Sequence, residues 1–164
     1  MNLVLIGMPG CGKTTIGKLL SKELNMKFYD ADDYLEIKNN MRISEMFNIG
    51  EDFFRDLESK ALEELSYMQN SVISTGGGAV TRERNMIALR KTGKIVFINR
   101  PVDKIIEDVD TSNRPLLKEG KDKLFKLYRD RHELYKKNCD FEVLNELIIE
   151  ETVGNIKCYF ERKC

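Results

Sequence analysis

The stretch Gly7-Met8-Pro9-Gly10-Cys11-Gly12-Lys13-Thr14 has the spacing G-x-x-x-x-G-K-[ST], with every required position filled. Its chemistry is polyphosphate binding. The glycines let the backbone curl so that successive N–H groups converge on an anion. The helix that follows adds the positive end of its dipole. Lys13 reaches the β- and γ-oxygens, and the Thr14 hydroxyl is placed to ligate Mg²⁺. A plain glycine turn entering a helix is the alternative, but Lys-Thr at that offset has no packing purpose.

Five other features carry chemistry. Asp30 and Asp32 are two residues apart at the end of an apolar segment. In extended chain they share one side, where they could hold a water of Mg²⁺ or take a hydroxyl proton. Equally, Asp32 or Asp33 could cap a following helix. Gly76-Gly77-Gly78 follows a strand-like run, allowing close backbone approach and N–H donation to a ligand, or simply a flexible turn. Arg55 and Glu58 lie three apart on a helical segment, where a surface ion pair is the plainer reading. Arg131 follows Leu127 by four and precedes Tyr135 by four, at the edge of an apolar stripe. A guanidinium there needs an anion, either an internal carboxylate or a substrate's. His132, the only histidine, is expected on the surface. Arg114 lies in the polar segment Asp110–Lys121, which reads as a mobile loop able to bring its charge onto phosphates.

These residues need elements to hold them. Asn2–Ile6 reads as a buried strand, and Thr14–Leu24 as a helix with Ile16, Leu19, Leu20 and Leu24 on one face. Lys27–Tyr29 reads as a second strand. Residues 34–70 are mostly helical, with breaks near Asn39-Asn40 and Ile49-Gly50. Strands over Ser71–Ser74, Lys94–Ile98 and Asp140–Val143 alternate with helices over Thr81–Lys91, Val102–Asp108, Asp122–Lys137 and Glu150–Glu161. Alternating β and α units predict a parallel five-stranded sheet with helices on both faces, with ligands bound beyond the strands' carboxyl ends.

Composition narrows the partners. The chain has 164 residues, 27 basic and 27 acidic, so its net charge is zero. Nucleic-acid and membrane-surface proteins carry a basic excess, so neither partner is expected. Cys11, Cys139, Cys158 and Cys164 form no C-x-x-C pair, which points away from zinc and disulfides. No signal peptide or membrane-length apolar run is visible, so a cytoplasmic protein is expected. No N-K-x-D guanine signature is present.

Taken together, Gly7–Thr15, Phe28-Tyr29-Asp30-Ala31-Asp32, Phe54-Arg55-Asp56-Leu57-Glu58, Thr75-Gly76-Gly77-Gly78, Asn113-Arg114-Pro115 and Arg131-His132-Glu133-Leu134-Tyr135 resemble the shikimate kinase family in type and order. The resemblance spans nearly the whole chain. It implies a three-layer α/β/α P-loop kinase fold in a single domain. The core would be 1–30, 59–109 and 122–164, with a helical substrate-binding insertion over 31–58 and a lid loop over 110–121. It implies a monomer that uses ATP and Mg²⁺ to phosphorylate the 3-hydroxyl of shikimate. Gly10, Cys11, Gly12, Lys13, Thr14, Thr15 and Arg114 would bind the nucleotide. Thr14 would ligate Mg²⁺ directly, and Asp30 through water. Asp32 would be the general base. Arg55 and Arg131 would grip the substrate carboxylate, with Glu58 orienting Arg55 and Gly76, Gly77 and Gly78 supplying backbone contact. Lys13, Asp32 and Arg114 would be the catalytic groups. Two departures stand out: Ile106–Asp110 and Leu144–Leu147 carry no cation where members often have one, and Glu133 replaces a frequent proline. A gluconate kinase is the neighbouring alternative, since gluconate is also an acid.

Overall fold

The computed structural model describes residues 1–111, 120–146 and 148–161. The strands are β1 (Asn2–Ile6), β2 (Lys27–Asp30), β3 (Ser71–Ser74), β4 (Gly93–Asn99) and β5 (Phe141–Leu144). They form one parallel sheet in the order β2-β3-β1-β4-β5. The helices are α1 (Lys13–Glu23), α2 (Ala31–Asn39), α3 (Ile43–Ile49), α4 (Glu51–Ser66), α5 (Glu83–Arg90), α6 (Val102–Thr111), α7 (Gly120–Asn138) and α8 (Ile149–Glu161).

Hydrophobic patterning explains the layering. β1 and β3 are buried along their whole lengths, as central strands covered on both faces must be. The edge strands β2 and β5 are only partly covered. Right-handed crossovers place α1 on one face, where it packs against α8, while α4, α5 and α7 cover the other. β1 therefore sits between β3 and β4 with the chain departing in both directions, and a crevice opens above its carboxyl end. No described helix is long and apolar enough to cross a membrane.

A second, smaller core joins α2, α3 and α4 through Leu35, Met46, Phe54 and Ala61. The breaks between these helices fall where the sequence places them. Asn40 takes a left-handed conformation with φ 47, and Gly50 separates α3 from α4. Several boundaries differ from the sequence reading. α2 starts at Ala31, directly on the end of β2, because the Asp30 carboxylate accepts from the Asp32 N–H at 3.1 Å and caps the helix. α6 and α7 extend into the ends of the expected 110–121 loop; residues 112–119, including Arg114, lie outside the described residues.

Asn2 staples the start of β1. Its Nδ2 donates to Ser66 O at 3.2 Å and Met68 O at 2.6 Å, while its Oδ1 accepts from Ser71 N at 3.2 Å. Asn2 is buried, so removing it strands backbone groups away from water. Asn2→Ala should lower unfolding free energy by about 2–3 kcal/mol, measured by urea denaturation.

Candidate active site

The phosphate loop runs between β1 and α1. Gly12 caps α1 with φ 100, a conformation that excludes side chains. Its exposed neighbours Thr14 and Thr15 leave the first turn of α1 facing the crevice. Lys13 is buried, and its ammonium donates to Gly7 O and Met8 O, both at 2.8 Å. Cys11 is fully buried, with its Sγ 3.6 Å from that ammonium. The loop is braced from behind by Asn145, whose Nδ2 donates to Cys11 O at 2.9 Å.

β2 and β3 bring the acidic residues to this loop. Thr14 Oγ1 donates to Asp30 Oδ2 at 2.7 Å and lies 3.5 Å from Ser74 Oγ. Asp30 thus spends one oxygen on the helix cap and one on Thr14. The cap itself belongs to Asp30, not to Asp32 or Asp33. Asp32 does not share an extended segment with Asp30; it sits in the first turn of α2, and the helix turns its carboxylate towards Gly76.

Gly76-Gly77-Gly78 explains itself by space. A Cβ at Gly76 would stand 2.9 Å from Asp32 Oδ1 and 3.1 Å from Glu58 Oε1. One at Gly78 would overlap the Arg55 guanidinium. The loop is anchored by Thr75, whose N–H and hydroxyl both donate to Leu5 O. It is not a loose turn.

Arg55 and Glu58 are not a surface pair. Both are buried, and Arg55 Nη1 donates to Glu58 Oε2 at 2.7 Å. The second carboxylate oxygen, Oε1, is buried with no partner among the described residues. Burial pushes the Glu58 carboxyl up, against the pull of Arg55 and of the more distant Arg131. Arg131 is half-buried on α7 and faces the same space. His132 is not a free surface residue: its ring packs at 4.6 Å from Tyr128 and 5.8 Å from Phe97, with Nδ1 shielded.

Two compartments result. One, of about 500 Å³, is lined by the phosphate loop, Asp30, Asp32 and Ser74. The other, of about 420 Å³, is lined by Arg55, Glu58, Arg131, Phe47 and Phe54. They share Asp32, Gly76 and Gly77. An anion-binding compartment and a compartment with two guanidinium groups therefore meet at one carboxylate. Such an arrangement can hold a polyphosphate on one side, a small acid on the other, and a base between them.

Sequence reasoning missed several lining residues. Phe47 and Phe54 stack at 4.2 Å from different helices, and the Arg55 guanidinium lies 4.9 Å from the Phe54 ring. Phe54 had a signal, being next to Arg55 in sequence; Phe47 had none. Lys123 also lines the second compartment. The two cation-free segments are joined by a cation from elsewhere. Arg100, at the end of β4, donates to Asp108 Oδ2 at 2.6 Å and to Asn145 O at 3.1 Å.

A family model described as shikimate kinase matches residues 9–157. The chain is 50% identical over 155 residues to a shikimate kinase of Clostridium botulinum, with 94% of each chain covered. The chain belongs to the shikimate kinase family. It is an ATP-dependent kinase of that family. A shikimate kinase from Acinetobacter baumannii, solved in complex with shikimate, superposes with a TM-score of 0.89 at 30% identity, covering 99% of this chain and 94% of that one. A gluconokinase from Sinorhizobium meliloti has a TM-score of 0.68 at 15% identity, covering 98% of this chain and 91% of that one. That likeness extends to the fold alone.

The Asp32 carboxyl is pushed up to about 6, first by burial and then by Asp30 and Glu58, against the pull of Lys13. An acid whose folded pKa exceeds its unfolded value binds its proton more firmly when folded. Its contribution to stability is therefore present below the unfolded pKa of 3.8 and lost as pH rises through about 6. Asp32→Asn cannot ionise, so it should melt above the wild type at pH 7.5, with the gain vanishing below about pH 4. Thermal unfolding across that range, followed by circular dichroism, checks the sign.

Proposed function

We propose that this kinase transfers the γ-phosphate of ATP to the 3-hydroxyl of shikimate, giving shikimate 3-phosphate and ADP. The observation that carries the reading is the meeting of the two compartments at Asp32. Gluconate is the weaker acceptor reading, because the gluconokinase likeness is one of fold alone.

Each residue has a role in that reading. The N–H groups of Gly10, Cys11, Gly12, Thr14 and Thr15 and the ammonium of Lys13 receive the phosphates. Lys13 is already held by loop carbonyls, so its charge is in place before the nucleotide arrives. Across the shared wall, Arg55 and Arg131 receive the shikimate carboxylate, for which a planar guanidinium is the matching donor. Glu58 holds Arg55 through one oxygen, while its other oxygen is buried towards Gly76. Phe47 and Phe54 supply an apolar face to the ring. Asp32 accepts the proton of the 3-hydroxyl as that oxygen attacks phosphorus. A base titrating near 6 is ionised at neutral pH yet basic enough for the transfer. Catalysis is then positioning and charge neutralisation, without a covalent enzyme intermediate.

The residues present fit Mg²⁺. A hydroxyl and a carboxylate converge at Thr14 and Asp30, and Mg²⁺ prefers few protein oxygens, keeping waters and phosphate oxygens for the rest. Thr14 would hold the ion directly and Asp30 through water. Bound there, it would neutralise charge between the β- and γ-phosphates. Residues 31–58 form the acceptor-binding segment, in keeping with their separate small core. The lid over 110–121, with Arg114 on the phosphates, rests on the family resemblance. The monomeric state rests on the family resemblance. Balanced charge supports small-molecule partners, not nucleic acid or membrane. Dependence on ATP suits the cytoplasm, where that nucleotide is abundant.

A coupled ADP-release assay tests the acceptor. Shikimate should drive turnover, and gluconate and nucleoside monophosphates should not; no shikimate-dependent ADP would refute the reading. Lys13→Met should abolish turnover with the fold intact. Arg131→Ala should raise the KM for shikimate about 10- to 100-fold and leave that for ATP nearly unchanged. The pH profile of kcat/KM should fall about tenfold per pH unit below an acid limb near 6, the value for Asp32 in the free enzyme.

A further inference from the structure

Asn145 lies just beyond the end of β5, 134 residues from the phosphate loop it touches, and its backbone and side chain are held on every side. It is 3% exposed. Its N–H donates to Asn99 O at 2.9 Å, which carries the pairing of β4 and β5 one residue further. Its carbonyl accepts from Arg100 Nη1 at 3.1 Å. Its Nδ2 donates to Cys11 O at 2.9 Å, and its Oδ1 accepts from the Thr152 hydroxyl at 3.3 Å. We propose that Arg100 and Asn145 form a relay that fixes the Cys11 carbonyl and so aims the Gly12 N–H at the phosphates of the nucleotide, which makes both of them positioning residues for ATP. The inference rests on the reading of the loop N–H groups as the groups that receive the phosphates.

The inner contact has one polarity. A carbonyl only accepts, so the face of the amide turned to Cys11 is the NH2, and its oxygen takes the Thr152 proton. Turning the amide over would set two acceptors against each other at Cys11. A trans peptide directs its N–H opposite its carbonyl, so a Cys11 carbonyl drawn to Asn145 leaves the Gly12 N–H pointing away from it. Gly12 lines the phosphate compartment, and among the described residues its N–H has no hydrogen-bond partner. A Cβ on Gly12 would stand 3.1 Å from Asn145 Nδ2, so the amide packs directly against the peptide it steers.

Arg100 supplies the outer half. It directly follows β4, and its Nη2 donates to Asp108 Oδ2 on α6 at 2.6 Å, which fixes the guanidinium. Its other edge meets the Asn145 carbonyl, a charge-assisted bond of the stronger kind. Asn145 is thereby clamped at both its N–H and its carbonyl, and a short side chain on a clamped backbone has little freedom left to lose when a ligand binds. Neither residue lines the phosphate compartment or the acceptor compartment. Their effect on binding must therefore run through the Cys11–Gly12 peptide, and it falls on the nucleotide and not on the acceptor.

A double-mutant cycle of Asn145→Ala and Arg100→Ala, read by steady-state kinetics with each substrate varied, tests this. Thermal unfolding establishes that each variant is folded. Asn145→Ala should raise the KM for ATP about tenfold, with kcat and the KM for shikimate within about twofold. Arg100→Ala should raise the KM for ATP about fivefold in the wild-type background and less than about twofold in the Asn145→Ala background. An unchanged KM for ATP in either single variant, with only the Tm lowered, would mean that the contacts serve the fold alone and would overturn the inference. An equal rise from Arg100→Ala in both backgrounds would put the guanidinium on the nucleotide itself and would overturn the relay. Where Asn145→Ala does not fold, Thr152→Val stands in. It keeps the buried shape, releases the amide oxygen and should raise the KM for ATP about threefold; no rise would overturn the inference. If Lys13→Met left turnover intact, the phosphate-loop reading would fall and this inference with it. A silent cycle beside an inactive Lys13→Met variant would sink the relay alone.

Discussion

The backbone at Gly76-Gly77-Gly78 runs through a gap that admits no side chain, and the site is built around that constraint. Asp32 and Glu58 press on it at Gly76, and the Arg55 guanidinium presses on it at Gly78. Its carbonyl at Gly77 is taken by Tyr135, and Thr75 ties its start to the central strand. A strip of bare peptide is thus the wall between the phosphate compartment and the acceptor compartment. Because the wall has no side chains, groups on its two sides come close enough for an in-line transfer. Because it is anchored to β1, the same strand that launches the phosphate loop, donor and acceptor are referred to one rigid element.

Charge is concentrated around this wall at some cost to the fold. Burial and repulsion from Asp30 and Glu58 raise Asp32, and burial opposes the ionisation of Glu58. Lys13, Arg55 and Arg131 counter them. A buried ion pair such as Arg55–Glu58 contributes little net stability compared with an apolar pair. What it supplies is orientation. Glu58 holds the guanidinium in one place. The two cores fit the same division, the main one carrying the phosphate loop and the smaller one carrying Phe54 and the helices around it.

Local signals in the sequence read well where the physics is local. The phosphate loop, the parallel β–α alternation and the helix breaks at Asn40 and Gly50 depend on spacing and on residues with special backbone freedom. Signals failed where position depended on neighbours distant in sequence. Asp30 and Asp32 look like one extended pair, but the cap that Asp30 makes pulls the following residue into a helix. Arg55 and Glu58 look like surface charges, because nothing in their own helix shows that a glycine loop will cover them. His132 looks exposed until Phe97 and Tyr128 close on it. Phe47 and Arg100 carry no mark of function, since one meets its partner across a helix break and the other lies far in sequence from Asn145.

The sequence by itself determined that this chain binds a nucleotide triphosphate, that its five strands form a parallel sheet and which family it belongs to. Those properties follow from motifs and periodicities that span a few to a few dozen residues. Only the tertiary structure decided that the two arginine-bearing helices and the glycine loop enclose one compartment, and that Asp32 stands at its border with the other. These are distances between groups far apart along the chain. They are settled by how α4 and α7 pack around a backbone too crowded to carry a side chain.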